Sequence, residues 1–229
     1  MEFSLSNQLV SHFDGGCAVV FVFCDKKSED VSIQSSVELN SFDGKAGNTI
    51  TLNKVSDYKS DIVVVVGLGD SPASAKNYQK ALKSLSKKLT DLKVKSAILE
   101  SINIDGFDKS WVYSNTARVL QNETYKVEKV GSNNDDPIML ESIAIQSDSD
   151  NYHELSFGLA TANGMKLARH LGDLPSNICT PSYLADTAES LAHEFDLDCE
   201  ILEESQMHDL GMGSLLSVSK GSIEPPKLI

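Results

Sequence analysis

Two histidine–glutamate pairs, His153–Glu154 and His193–Glu194, carry the side chains a zinc protease would use. That chemistry needs a second histidine four residues after the first, so that both imidazoles share one helix face. Those positions hold Phe157 and Leu197, so neither pair is read as a metal site. Ser217-x-x-Lys220 has the spacing at which an amine could activate a hydroxyl for acyl transfer. Ser84-x-x-Lys87 and Ser56-x-x-Lys59 repeat it, which marks the pattern as chance in a chain rich in both residues. The stretch GLGDSPA (67–73) begins like a dinucleotide loop, whose glycines let the backbone approach a pyrophosphate. The third glycine falls at Pro72, so the expected structure is a plain strand-to-helix turn.

Lys76, Lys80, Lys83, Lys87 and Lys88 crowd one predicted helix. They could hold an anion, but a solvated face is the expected role. Acidic residues are plentiful, yet no Asp/Glu group with ligand spacing stands out. Cys17, Cys24, Cys179 and Cys199 form no CxxC pair and are read as reduced and mostly structural. Residue types and spacing alone therefore assign no catalytic, cofactor-binding or metal-binding residue.

The elements that would have to position such groups are clearer. With 229 residues, 41% of them hydrophobic and 23% charged, the chain can bury a real core. A net charge of −13 repels phosphate and makes nucleic acid an unlikely partner. No window approaches the ~18 apolar residues of a membrane span. The first residues show neither a basic stretch nor a long apolar run, so the expected compartment is cytoplasmic.

CAVVFVF (17–23) reads as a buried strand, and the polar segment after it, to about residue 47, as mostly loop. NTITLN (48–53), DIVVVVGLGD (61–70), KSAILES (95–101) and IMLESIAI (138–145) read as further strands. Tyr78, Ala81, Leu82, Leu85 and Leu89 define the apolar face of a helix, and residues 110–124 form another. GSNNDDP (131–137) is turn chemistry, and SDSDN (147–151) can cap a helix over 152–171. That helix carries Leu155, Leu159, Ala162, Met165 and Ala168 along one stripe. Gly172 is expected to end it, with Thr180–Pro181 starting the next helix at 182–195. A strand DCEIL (198–202), a short helix near 205–210 and a turn-rich Gly211–Gly221 follow. Leu228–Ile229 read as the first residues of a buried strand. The chain is expected to be α/β, with a three-layer sheet that is mixed or mostly parallel.

Specific motifs lie in the last third. They are Asn163-Gly164, Ala168-Arg169, Leu174-Pro175, Asn177, Thr180-Pro181, Leu210-Gly211-Met212-Gly213, Gly221-Ser222 and Pro225-Pro226. In order and spacing they resemble the leucyl aminopeptidase family, the two-metal M17 cytosol aminopeptidases. GLGD followed by YQKAL (78–82), and TYKVEK (124–129), resemble the N-terminal domain of the same family.

The resemblance implies a macro-domain-like N-terminal sheet over 1–150, a linker helix and connection over 151–181, and the incomplete start of an α/β catalytic domain over 182–229. It implies a metal-dependent aminopeptidase that removes leucine-like N-terminal residues from peptides. Two divalent ions (Mn, Zn or Mg) would activate a bridging water. It also implies a homo-hexamer in the cytoplasm. The family's ligand segments, TFDSGG and NTDAEGR, do not occur here, so no catalytic or metal residue carries over. The expectation is that this chain binds no metal and is inactive alone. Gly172–Pro181 would shape the way into the catalytic domain. Gly-Met-Gly is read as close backbone packing, with a direct substrate role for Met212 or Ser214 as the other reading. The alternative function is a non-catalytic N-terminal module for oligomerisation or for binding an ADP-ribose-type anion. Asp70 and the overall acidity argue against the anion. Some bacterial members also bind DNA as regulators, and the net charge argues against that here.

Overall fold

The computed structural model describes residues 1–126, 140–148 and 152–229. GSNNDDP, residues 127–129 of TYKVEK, residues 138–139 and the cap in SDSDN lie outside these. The chain divides into two compact units, Met1–Lys166 and Leu167–Ile229.

The first unit is built on six strands: β1 (Glu2–Ser6), β2 (Cys17–Val22), β3 (Thr49–Asn53), β4 (Ile62–Gly67), β5 (Ser96–Leu99) and β6 (Ser142–Gln146). Their order is β1-β6-β5-β2-β4-β3. All pairs are parallel except β3 with β4. β2 and most of β4 are buried on both faces, which is why CAVVFV and VVVV show no alternation.

Helices α2 (Ala75–Leu92) and α3 (Lys109–Glu123) cover one face. Tyr78, Ala81, Leu82, Leu85 and Leu89 of α2 are all buried there, as their spacing requires. Each fully buried leucine stabilises the fold by about 1.5–3 kcal/mol. Ser74 starts α2 by accepting the Asn77 N–H, and Asp108 starts α3 by accepting that of Trp111. The other face is covered by α1 (Val31–Leu39), with Ile33 buried against Val20, Val63 and Val65. This is the expected three-layer α/β arrangement.

Two elements depart from the sequence reading. Residues 24–47 contain α1, not only loop. Its serines and valines have weak helix propensity and it buries Ile33 alone, so its periodicity is faint. The Asp30 carboxylate caps it by accepting the Ile33 N–H. The second is β1, where Phe3 and Leu5 alternate with polar neighbours and pair in register with Ile143 and Ile145.

α4 (Tyr152–Asp173) begins in the first unit and runs into the second. Leu155 and Ala162 are buried, whereas Met165 and Ala168 of the predicted stripe are exposed. Gly172 does not end the helix, which continues to Asp173.

The second unit holds α5 (Pro181–Phe195), α6 (Glu204–Asp209) and α7 (Gly213–Ser219). Thr180 caps α5 by accepting the Tyr183 N–H, with Pro181 in the first turn as expected. Residues 198–202 form no strand. Leu202 and Leu228 instead exchange backbone hydrogen bonds as one isolated antiparallel bridge. The anticipated buried strand start is likewise absent, since Ile229 is exposed. A strand is a pairing, and no third strand flanks this bridge among the described residues. Gly211–Gly221 is not simply turn-rich, because α7 occupies most of it.

Candidate functional site

In open α/β sheets ligands bind outside the carboxyl ends of the parallel strands. Here that mouth is formed by the segments after β2, β4 and β5, and the chain fills it with its own backbone. Gly69 donates its N–H to the Gly44 carbonyl, Gly67 to Asn48, Leu68 to Val22 and Cys24 to Gly69, all at 2.9 Å. A Cβ on Gly67 would collide with the carbonyls of Gly44 and Lys45. The glycines of GLGD thus admit the 41–48 segment, where a dinucleotide loop would admit a pyrophosphate. The plain strand-to-helix turn expected at 67–73 is what the structure contains.

The mouth is also acidic. Cys24 is exposed, and its thiol titrates above its ordinary value through partial desolvation and the carboxylates of Asp70, Asp43 and Asp25. The Lys45 N–H and the Asn48 amide hold the Asp43 carboxyl below its usual range. Asp25 accepts the Ser71 N–H at 2.9 Å. A phosphate here would meet the field that the Cys24 thiolate meets.

Glu100, the charged residue that ends the apolar run AIL, belongs to no site motif in the sequence. Its N–H donates to the Val19 carbonyl, and its carboxylate accepts the Phe21 N–H at 3.0 Å. The side chain therefore takes the place of β5 where that strand leaves β2. Burial raises the Glu100 carboxyl above its ordinary value; the Phe21 hydrogen bond opposes this, and Asp30 and Glu29 add to it. Asp30 is already engaged, accepting from the Ile33 N–H and from the Tyr58 hydroxyl. The two carboxylates serve the backbone and a tyrosine, and they form no acid–base dyad.

The structure places the other sequence candidates in local contacts or on the surface. Ser217 donates its hydroxyl to the Ser214 carbonyl, an ordinary helical back-bond, so Lys220 does not activate it. His153 and Glu154 form a pair at 3.7 Å at the start of α4. Gly-Met-Gly is not a close backbone contact, because a Cβ on Gly211 or Gly213 would meet nothing within 4 Å. Gly211 is needed for its φ of +72°, a turn that lets Met212 donate to the Met207 carbonyl. Ser214 is exposed on α7. Of the cysteines only Cys17 is buried, its thiol pushed up to about 12 by desolvation. Cys24 and Cys199 are exposed, which corrects the structural reading for those two.

Glu189, His193, Asp196 and Cys199 line a shallow depression on α5 and the segment after it. They are metal-ligand types. Nevertheless, no group of three or more His, Cys, Asp or Glu among the described residues could hold a metal ion. The donors among the described residues do not fit a two-metal centre.

The chain matches two family descriptions in succession: the cytosol aminopeptidase family, N-terminal domain, over residues 14–134, and the catalytic domain of the same family over residues 166–229. A probable cytosol aminopeptidase of Vesicomyosocius okutanii is 52% identical over 229 residues, which is all of this chain and 48% of the relative. One from Dechloromonas aromatica is 34% identical over 248 aligned residues, covering all of this chain and 50% of its own length. The chain thus spans about half the length of the curated relatives it matches. Among solved structures, a tomato leucine aminopeptidase mutant superposes with a TM-score of 0.81 at 19% identity, over 99% of this chain and 49% of that one. The bottromycin maturation enzyme BotP in complex with Mn gives 0.77 at 21% identity, over 94% and 44%. These structures share the fold. No helix among the described residues is long and apolar enough to cross a membrane.

Proposed function

The chain belongs to the cytosol aminopeptidase family, and from that premise we propose that it is part of a metal-dependent aminopeptidase acting on the N-terminal residues of peptides, with leucine-like residues preferred. The observation that carries this reading is the succession of the two family matches along one chain. The proposed metals are two divalent ions, Mn, Zn or Mg, held by chain outside these residues. When bound, such ions polarise a peptide carbonyl and lower the pKa of a bound water. One structural neighbour was solved with Mn, which supports the class of ion.

On this reading residues 1–150 are an N-terminal α/β domain, 151–181 a linker helix and connection, and 182–229 the first part of the catalytic domain. The second unit leaves the apolar surface of Phe195, Leu197, Leu210, Val218 and Ile223 exposed. Further catalytic-domain chain would cover it. The N-terminal unit, its mouth closed and acidic, would then organise a cytoplasmic homo-hexamer. Of the two roles for a non-catalytic module, this geometry favours oligomerisation over binding an ADP-ribose-type anion.

The test is hydrolysis of leucine p-nitroanilide by a polypeptide that contains this chain and spans the length of its relatives. Turnover that chelation abolishes and Mn²⁺ restores supports the reading. Absence of turnover with each of Mn²⁺, Zn²⁺ and Mg²⁺ contradicts it.

A further inference from the structure

Helix α2 carries Lys76, Lys80, Lys83 and Lys87 at successive spacings of four, three and four residues. On an α-helix that places all four on one face, and all four are exposed. The helix has a single acid, Asp91, and none of these lysines has an ion pair among the described residues. Like charges one turn apart repel, so an unpaired stripe of this kind is a cost to the folded chain. It also stands out in a protein of net charge −13.

The opposite charge is segregated too. Positions 171–219 contain ten Asp and Glu residues and no Lys or Arg. Within them, Asp186 and Glu189 share one side of α5 by their spacing, and Asp196 caps its C-terminus at the depression that Glu189, His193 and Asp196 line. At 1.5 Å per residue the lysine stripe is about 16 Å long and the acidic one about 15 Å. We propose that the lysine stripe of α2 docks along the acidic side of α5 in a second copy of this chain. Charge complementarity and matched length select that occupant; the net charge disfavours a nucleic-acid backbone. The proposal deepens the oligomeric part of the reading above by naming the surfaces. Its test reads association alone, so it stands or falls apart from peptidase activity.

The experiment is sedimentation velocity on the 229-residue chain in 50 and 500 mM NaCl. Four samples are compared: the parent, a K80E/K83E/K87E variant, a D186K/E189K variant, and a mixture of the two variants. A K26E/K27E/K59E variant controls for net charge, and circular dichroism checks each fold. The expected result is association of the parent that weakens at least tenfold at high salt, is lost in each interface variant, survives in the control, and returns in the mixture. A parent that stays monomeric at low salt overturns the proposal. So does a lysine variant that associates like the parent, or a mixture that fails to pair. Retention of a DNA duplex that K80E/K83E/K87E abolishes, with association unchanged, assigns the stripe to nucleic acid and also overturns it.

Discussion

Gly158 of α4 rests directly on the backbone carbonyl of Ser114 in α3, with no room for a Cβ between them. The two helices can approach this closely only because one side contributes bare backbone. Around that point Leu155 joins Leu5, Tyr113, Ala117 and Ile145 in one buried cluster, which fixes the start of α4 to the sheet.

Gly158→Ala is therefore expected to destabilise the first unit. Glycine to alanine in a free helix would gain about 1 kcal/mol of propensity. Overpacking against rigid backbone costs about 1–3 kcal/mol or more and reverses the sign. Urea unfolding should show a lower midpoint for this variant. Gly164→Ala, at an open position on the same helix, should show none of this loss.

Glu100 predicts a pH dependence of defined sign. Its carboxyl titrates above the ordinary 4.5 in the folded chain, so the folded state holds the proton more tightly than the unfolded one. The stability this contributes is complete below about pH 4.5 and is lost as the pH rises through the folded value. Glu100→Gln keeps an oxygen for the Phe21 N–H and removes the titration. Its urea midpoint should exceed that of the parent at pH 7, and the gap should close towards pH 4. Glu100→Ala strands a part-buried N–H and should cost about 1–3 kcal/mol.

Cys24 reports the field at the mouth of the sheet. Asp70 is the leading charge that raises its thiol, so Asp70→Asn should speed alkylation by iodoacetamide at pH 8 a few-fold. An anionic disulfide reagent should react more slowly than a neutral one, and added salt should narrow the difference. Equal rates for the two reagents would show that the mouth is not acidic.

The sheet and α2 were readable because their signals are strong. VVVV in β4 is an unbroken apolar run, and the five buried apolar residues of α2 sit at helical spacing. α1 was hidden because a serine-rich helix with one buried side chain barely differs from a loop. The Leu202–Leu228 bridge was overread as the start of a sheet because β propensity is local while pairing is not. Glu100 was missed for a related reason. A sequence shows a charge at the end of a strand, but not which N–H the departing strand leaves open. The closed mouth depends on Gly44 meeting Gly67 across 23 positions, a contact that no local pattern announces.

The most direct measurement counts tightly held divalent ions per chain after chelation and reloading, with leucine p-nitroanilide turnover read on the same samples. It compares this 229-residue chain with the longer polypeptide that spans the relatives' length. The account predicts two ions and turnover for the longer polypeptide, and neither for the 229 residues alone. Two ions with turnover on the 229-residue chain would contradict it, because the account places the catalytic metal centre outside these residues, and the described ones show no metal-binding group.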